Sequence, residues 1–128
     1  MATLTLVPLD GRFAVCRLPA GAGVPGWAAG GPLVSITRTA EELSVVCRDE
    51  AVPDGVRCER GWRCLRVAGV LDFSLTGVLA SLLGPLAAAG VSVFVVSTFD
   101  TDYLLVKEDK WAEATEVLRR AGFFPPRP

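Results

Sequence analysis

A stretch without charged residues constrains this chain more than any other feature. It runs from Phe73 to Phe99, with Asp72 before it and Asp100 and Asp102 after it. A segment of that length is long enough to cross a bilayer, since about 20 apolar residues suffice. A membrane span is therefore the first interpretation to test.

The residues inside the stretch argue against a membrane span. Gly84-Pro85 and Gly90 interrupt it, and no Lys/Arg cluster flanks either end. Its last third, residues 91–96, is β-branched and aromatic, which favours a strand. The stretch therefore predicts a buried helix followed at once by a buried strand, and no membrane association.

Length and charge favour a small cytoplasmic protein. At 128 residues and 51% hydrophobic, the chain is long enough for one ordinary domain or two very small ones. Its 13 basic and 14 acidic residues nearly balance, and the basic ones are scattered, so the electrostatic footprint of a nucleic-acid binder is missing. The N-terminus lacks the basic and long apolar segments of a secretory signal.

The cysteines predict neither a metal site nor a nucleophile. Cys16, Cys47, Cys58 and Cys64 form no C-x-x-C pair, and there is no His, so zinc would need four irregularly spaced thiolates. Buried reduced thiols are the favoured alternative. Without His, the commonest general base near neutral pH is also missing. We therefore expect no metal, no cofactor and no enzymatic activity.

The second half of the chain predicts six elements in the order β-α-β-β-α-β. Leucines and valines recur at helical spacing over residues 75–86, and Gly90 can end that helix. The runs on either side of the turn 98–101 predict a hairpin. The predicted elements are strands at 62–70, 91–97, 102–106 and 123–124, and helices at 75–86 and 109–121. This is the order of a ferredoxin-like unit.

The first half repeats this order in a degenerate form. It predicts strands at 12–18, 33–38, 43–47 and 56–60, with a short helical turn at 49–52. A Gly/Ala/Pro stretch replaces the first helix at 19–32, and it is either a lid or a shortened connection in which Trp27 covers the core. We therefore predict an α+β fold of two ferredoxin-like βαββαβ units with helices packed on an antiparallel sheet. The degenerate unit covers 1–60 and the intact one 61–128.

Two turns of the intact unit offer a place for a ligand. The turn 69–77 leads into the first helix, so its N–H groups and the positive end of the helix dipole can hold a carboxylate. The turn 97–102 presents hydroxyls, the ring of Phe99 and the carboxylates of Asp100 and Asp102. Together these groups suit a zwitterion such as an α-amino acid.

The same residues also have purely structural interpretations. Ser74 and Thr76 can be N-cap or first-turn residues, and Asp72 can simply complement the helix dipole. The two carboxylates of the second turn can serve only to set the hairpin, and Phe99 can be a core residue. These alternatives stay open at the level of sequence.

Three segments resemble a known family. Residues 72–80, 85–93 and 97–106 look like the small bacterial tandem ACT-domain proteins related to the CASTOR arginine sensors, and the Ser-Thr-Phe-Asp-Thr-Asp block at 97–102 is the specific part. Residues 35–46 resemble the degenerate first ACT copy of those proteins. The resemblance covers nearly the whole chain. It implies tandem ACT units that bind small effectors, usually amino acids, and perform no chemistry.

The resemblance also implies a set of ligand-binding residues. Thr98 and Phe99 would contact or flank the ligand, and Asp102 would face its cationic group. The arginine sensors have an acidic residue where this chain has Leu75, so a neutral or apolar amino acid is as compatible as arginine. The implied set is Asp72, Ser74, Leu75, Thr76, Gly77, Thr98, Phe99, Asp100 and Asp102.

The implied partners are an amino-acid effector, a second copy of the chain and a regulated protein. A homodimer is implied because the chain resembles half of a four-domain animal sensor. One alternative is a dimeric interaction module whose ligand site has decayed. Another is a small mutase or isomerase with Asp102 as base, for which the sequence shows no second catalytic group.

Overall fold

A computed structural model describes residues 4–69 and 77–124 of the chain. These residues form seven strands and two α-helices in an α+β arrangement, which confirms the predicted fold class. The elements are β1 (Leu6–Pro8), β2 (Phe13–Leu18), β3 (Ser35–Arg38), β4 (Leu43–Arg48), β5 (Cys58–Val67), α1 (Val78–Ala88), β6 (Phe94–Ser97), β7 (Asp102–Lys107) and α2 (Trp111–Arg120).

The chain forms two compact units. The first unit is Asp10–Trp62, and the second consists of the described parts of Met1–Leu9 and Arg63–Pro128. The sequence predicted the ranges 1–60 and 61–128, which stay a prediction, and the described residues 4–9 belong to the second unit.

The first unit contains β2, β3, β4 and the first residues of β5, and it has its own core. Strand β2 pairs with β4 and with the first residues of β5, and β4 pairs with β3, in each case antiparallel. Residues 19–34 contain a 3-10 turn at Gly26–Ala28 and no α-helix, as predicted. Trp27 packs against the core from this loop. The core residues are Ala14, Cys16, Ala28, Leu43, Val45, Cys47 and Val52.

The second unit packs both helices on its strands. Strand β7 lies between β5 and β6, and β1 pairs antiparallel with the end of β5. Alternate residues of the strands point toward the helices because side chains alternate across a sheet. The buried cluster is Leu6, Leu65, Val67, Leu82, Leu86, Val91, Leu104, Val106, Ala114 and Leu118.

Strand β5 corrects one sequence prediction. Separate strands were predicted at 56–60 and 62–70, but the structure has one strand, Cys58–Val67. Gly61 has φ +77 within it, and the register against β2 shifts at this point. A glycine at positive φ opposite a register shift is a β-bulge, which continues a strand instead of ending it. The Asp49 carboxylate accepts a hydrogen bond from the Gly61 amide at 3.2 Å.

The ends of the second unit correct two more predictions. The short edge strand predicted at Phe123 and Phe124 is absent from the structure, and β1, which was not predicted, pairs with β5 instead. The Leu6 amide donates to the Phe123 carbonyl at 2.9 Å. Asp109 was predicted to cap helix α2, but it lies in the 3-10 turn Glu108–Lys110, and α2 begins at Trp111 with Lys110 at the N-cap position and no side-chain cap bond.

The two units share a recurring block of elements. The hairpin β3–β4 and the 3-10 turn Asp49–Ala51 have the same lengths as β6–β7 and the 3-10 turn Glu108–Lys110. Every residue of the first set lies the same number of positions before its counterpart in the second set, and we call this separation the constant offset. The interpretation of the first unit as a degenerate ferredoxin-like unit stays a prediction.

The uncharged stretch at residues 73–99 contains helix α1, which has 11 residues. Within residues 4–69 and 77–124, no helix is both apolar and long enough to cross a membrane. The cytoplasmic location stays a prediction.

Candidate functional site

The turn between β6 and β7 is held by local hydrogen bonds. Thr98 N–H donates to the Thr101 carbonyl at 2.9 Å, and the Thr98 hydroxyl donates to the same carbonyl at 3.1 Å. The Thr101 amide donates back to Thr98 Oγ1 at 3.3 Å. These bonds set the four-residue turn without any carboxylate.

Two side chains of this turn, those of Phe99 and Asp100, face outward. Phe99 is 78% exposed, so the interpretation of this ring as a core residue is wrong. Asp100 is also exposed, whereas Asp102 is half-buried. The Ser97 hydroxyl donates to Asp102 Oδ1 at 2.6 Å, a short bond of the kind that hydroxyls make to ionised carboxylates. The turn thus presents an oriented carboxylate beside an exposed ring.

Thr101 connects the turn to the end of β5. It is buried, and its hydroxyl donates to the Val67 carbonyl at 2.7 Å. Because Val67 is the last residue of β5, the segment that follows β5 starts next to this turn. Sequence reasoning did not identify this role of Thr101. The sequence signal that could have indicated it was a hydroxyl residue immediately before an apolar strand. Such a residue can donate to a buried backbone carbonyl that otherwise lacks a hydrogen-bond donor.

The second half of the predicted site is only partly described. Asp72, Ser74, Leu75 and Thr76 lie outside the described residues. Gly77 is described: it has φ +76 and precedes α1, and its carbonyl accepts the Ser81 amide at 2.9 Å. A glycine suits this left-handed backbone conformation because it has no Cβ.

The first unit contains a turn with the same bonds. Between β3 and β4, Thr39 N–H donates to the Glu42 carbonyl at 2.9 Å. Thr39 Oγ1 accepts the amides of Glu41 and Glu42, each at 3.1 Å. Thr39 therefore corresponds to Thr98, and it sets its turn in the same way.

The two turns differ in the side chains around this shared backbone. At the constant offset, Ala40 corresponds to the exposed Phe99, and Leu43 corresponds to Asp102. Leu43 is fully buried. The structural alternative that Asp102 serves to set the hairpin is weakened, because the first unit makes the same turn with a leucine there.

Arg38 of the first unit corresponds to Ser97 of the second. Its guanidinium donates to the carbonyls of Ala20 and Ala22, in the loop that follows β2. A second arginine, Arg17, donates to the carbonyl of Glu41 in the turn at 3.0 Å. Arginine side chains thus hold together the first unit's turn and the neighbouring loop.

The cysteines are thiols, as predicted. Cys16, Cys47 and Cys64 are buried and Cys58 is half-buried. Burial raises the pKa of Cys64 to about 12. Burial, together with the neighbouring thiols Cys47 and Cys58, raises the pKa of Cys16 to about 12. Burial also raises the pKa of Cys47. These three cysteines therefore stay protonated near neutral pH and are poor nucleophiles.

No metal-binding group emerges from the described ranges. Within 4–69 and 77–124, no three His, Cys, Asp or Glu side chains gather in a way that could hold an ion. The turn 97–102 offers hydroxyls, backbone groups, one exposed ring and carboxylates. These groups can bind a small cationic or zwitterionic molecule by hydrogen bonds and charge.

Family models match both parts of the chain. A model described as ACT domain matches residues 57–120, which include the turn 97–102. A second model, which describes an N-terminal domain, matches residues 11–55. The boundary between the two matches lies close to the boundary between the two units.

One curated relative and two solved structures place these matches in context. A 60-residue segment, 46% of this chain, is 45% identical to the human cytosolic arginine sensor for mTORC1 subunit 1 and spans 18% of that protein's length. A crystal structure of an Agobacterium tumefaciens protein is 41% identical, with a TM-score of 0.89, and the match covers 95% of this chain and 91% of that one.

The second structure is the ligand-free regulatory subunit of aspartate kinase from Thermus thermophilus. The match covers 94% of this chain and 99% of that one, with a TM-score of 0.62. At 13% identity, this likeness concerns the fold alone.

Proposed function

This chain belongs to the ACT-domain family and is related to the CASTOR sensors, and from that premise we propose that it is a non-catalytic regulatory protein that binds an amino acid. The curated relative is named as an arginine sensor, and a protein of similar fold is named as a regulatory subunit. Both names support a sensing role over a catalytic one.

We place the effector at the turn between β6 and β7. Asp102 carries this proposal, because its carboxylate is oriented by the Ser97 hydroxyl at 2.6 Å although the turn does not need it. The first unit builds the same turn with Leu43 at that position. A half-buried carboxylate suits the ammonium group or the cationic side chain of an amino acid. Thr98, Phe99 and Asp100 complete this part of the site.

The helix-entry residues Asp72, Ser74, Leu75, Thr76 and Gly77 remain proposed partners for the effector's carboxylate. The described residues support their position indirectly. Thr101 bonds to the Val67 carbonyl at the end of β5, and the helix-entry segment follows β5 in the chain. Of the helix-entry turn itself, residues 70–76 lie outside the described residues, so its place in the site rests on the sequence.

A thermal-shift panel of the twenty amino acids tests this function. A ligand present at about one hundred times its Kd stabilises a protein by about 2.7 kcal/mol, which for a chain of this size is a rise of several degrees in Tm. We expect such a rise for one or two amino acids in the wild-type protein. The identity of those amino acids decides between arginine and a neutral effector, the choice that Leu75 leaves open.

Two variants make the panel specific. Asp102→Ala should abolish the ligand-dependent rise, whereas Glu41→Ala, which removes an acid from the corresponding turn of the first unit, should retain it. A rise that survives in Asp102→Ala places the effector elsewhere. No rise with any amino acid, at concentrations up to the millimolar range, contradicts the proposed function.

We also propose that the chain forms a homodimer through α1. This helix carries no charged residue, and its exposed positions are all small: Ala80, Ser81, Gly84, Ala87 and Ala88. On α2, by contrast, Glu116 pairs with Arg119 and Arg120, each at 3.2 Å. The uncharged face of α1 is also the observation that favours the alternative function, a dimeric interaction module without an effector.

Light scattering measures this association directly. The chain has a mass of 13.5 kDa, so the dimer should have twice that mass. Ala80→Glu on the small-residue face should yield the monomer, and Ala112→Glu on the exposed side of α2 should leave the dimer intact. A wild-type monomer across the micromolar range contradicts this part of the proposal. A dimer without any amino-acid response supports the interaction module.

A further inference from the structure

The first unit contains a guanidinium held between two carbonyls. Arg38 is the last residue of β3, and its two terminal nitrogens donate to different residues of one loop. Nη2 donates to the Ala22 carbonyl at 2.7 Å, and Nη1 donates to the Ala20 carbonyl. The planar guanidinium presents its N–H groups as a fork, so two converging carbonyls match it better than they match a spherical ammonium group.

The loop that supplies these carbonyls is itself ordered. It follows β2, and the Ala22 amide donates to the Pro19 carbonyl at 3.0 Å, which closes a turn. Arg38 therefore joins the hairpin of the first unit to the segment that follows its first strand. In the second unit, the hairpin is joined to the end of β5 by the Thr101 hydroxyl and the Val67 carbonyl.

The corresponding position of the second unit carries no positive charge. Ser97 stands where the first unit has Arg38, and its hydroxyl donates to the Asp102 carboxylate. In the first unit's hairpin, the residue before the turn is a cation that binds a loop of the same unit. In the second unit's hairpin, the residue after the turn is an oriented anion. The difference lies in two pairs of equivalent positions. Arg38 corresponds to Ser97, and Leu43 corresponds to Asp102.

We propose that the carbonyls of Ala20 and Ala22 form a guanidinium-binding site in the first unit and that Arg38 occupies this site as an intramolecular ligand. Free guanidinium compounds are excluded from the site while Arg38 fills it. If the proposed amino-acid function also holds and the effector is arginine, its guanidinium group meets a filled site at this loop of the first unit.

Chemical rescue tests this inference without any amino-acid ligand. In Arg38→Ala, we expect hydrogen exchange of the Ala22 amide to become roughly three to ten times faster, because two charge-assisted hydrogen bonds to an exposed group are lost. Propylguanidinium, which replaces the missing side chain, should lower the rate toward the wild-type value as its concentration is raised. It should not change the rate in the wild-type protein, whose site is filled.

Two further variants serve as controls. Arg17→Ala removes another arginine that donates to a backbone carbonyl of the same hairpin turn, and it should leave the Ala22 exchange rate unchanged. Arg38→Lys keeps the positive charge without the planar fork, and its Ala22 rate should fall between those of the wild type and Arg38→Ala.

Three outcomes overturn the inference. They are an unchanged Ala22 rate in Arg38→Ala, equal acceleration in Arg17→Ala, and equal rescue by propylammonium, which would mean that charge alone suffices. The result is independent of the amino-acid panel: a silent panel with successful rescue removes the proposed function and leaves the guanidinium site standing.

Discussion

The turns 39–42 and 98–101 have the same backbone bonds and different surroundings. In both, a threonine at the first position bonds to the backbone of the last residues of the turn. Around this shared frame, the first unit places Arg38 and Leu43 where the second places Ser97 and Asp102. The threonine bonds common to both turns are what such a turn needs in order to form. The bond between Ser97 and Asp102 is an additional feature of the second turn.

The largest expected effect comes from the position shared by Leu43 and Asp102. Leu43 is fully buried, so Leu43→Ala should lower the free energy of unfolding by about 2–5 kcal/mol through lost burial and a cavity. Asp102→Ala loses one bond to a hydroxyl and should cost about 1 kcal/mol or less. Urea unfolding of both variants measures the difference. Equal losses would mean that Asp102 is as structural as Leu43.

A smaller effect is expected at the last position of each turn. Thr101→Val keeps the shape of the side chain but leaves the buried Val67 carbonyl without its hydroxyl partner, which should cost about 1–3 kcal/mol. Glu42→Ala, at the corresponding position of the first unit, should change stability by about 0.5 kcal/mol or less. Thermal unfolding of the two variants tests whether the bond from Thr101 to Val67 stabilises only the second unit's turn. An equal loss of stability in Glu42→Ala and Thr101→Val would contradict this expectation.

The smallest effect should be shared by both turns. Thr39→Ala and Thr98→Ala each remove local side-chain bonds to the backbone and should each cost about 0.5–1.5 kcal/mol. The corresponding serine variants keep the hydroxyl and should stay close to wild-type stability. If only one of the two threonines matters, the turns are similar in shape but are not stabilised in the same way.

Local patterns in the sequence predicted the recurring hairpins well. The strands predicted at 33–38, 43–47, 91–97 and 102–106 lie within a few residues of β3, β4, β6 and β7. Their alternating apolar residues and their turn residues are adjacent in sequence, so the signal does not depend on distant parts of the chain. Helix α1 was also predicted because its leucines keep the helical period.

The sequence predictions were wrong where strand partners lie far apart in the sequence, and where the backbone conformation of one residue decides whether a strand continues. Strand β1 pairs with the end of β5, so three residues gain their role from a segment about sixty positions away. The alternation of Thr and Leu at residues 3–6 was a weak signal for it. Gly61 was interpreted as a break, although a bulge with positive φ continues the strand.

The candidate site was predicted in its residue types but not in its internal bonds. Asp102 and Phe99 were identified from the residue types of the turn 97–102, and the resemblance implied their roles. The structure shows Asp102 oriented by a hydroxyl and Phe99 exposed. The bond from Thr101 to Val67 escaped prediction because a single threonine carries no periodic pattern. The contrast between Arg38 and Ser97 required the two hairpins to be aligned on their backbones.

The pairing of β1 with β5 has a consequence for the order of folding. Leu6–Pro8 precede the whole first unit in the chain, yet their partners are residues 65–67. During synthesis, Leu6–Pro8 stay without their strand partners while more than fifty following residues are added. Long-range pairing of this kind is slow because the loop between the partners has to close first. We therefore expect the pairing of β1 with β5 to be among the last contacts to form.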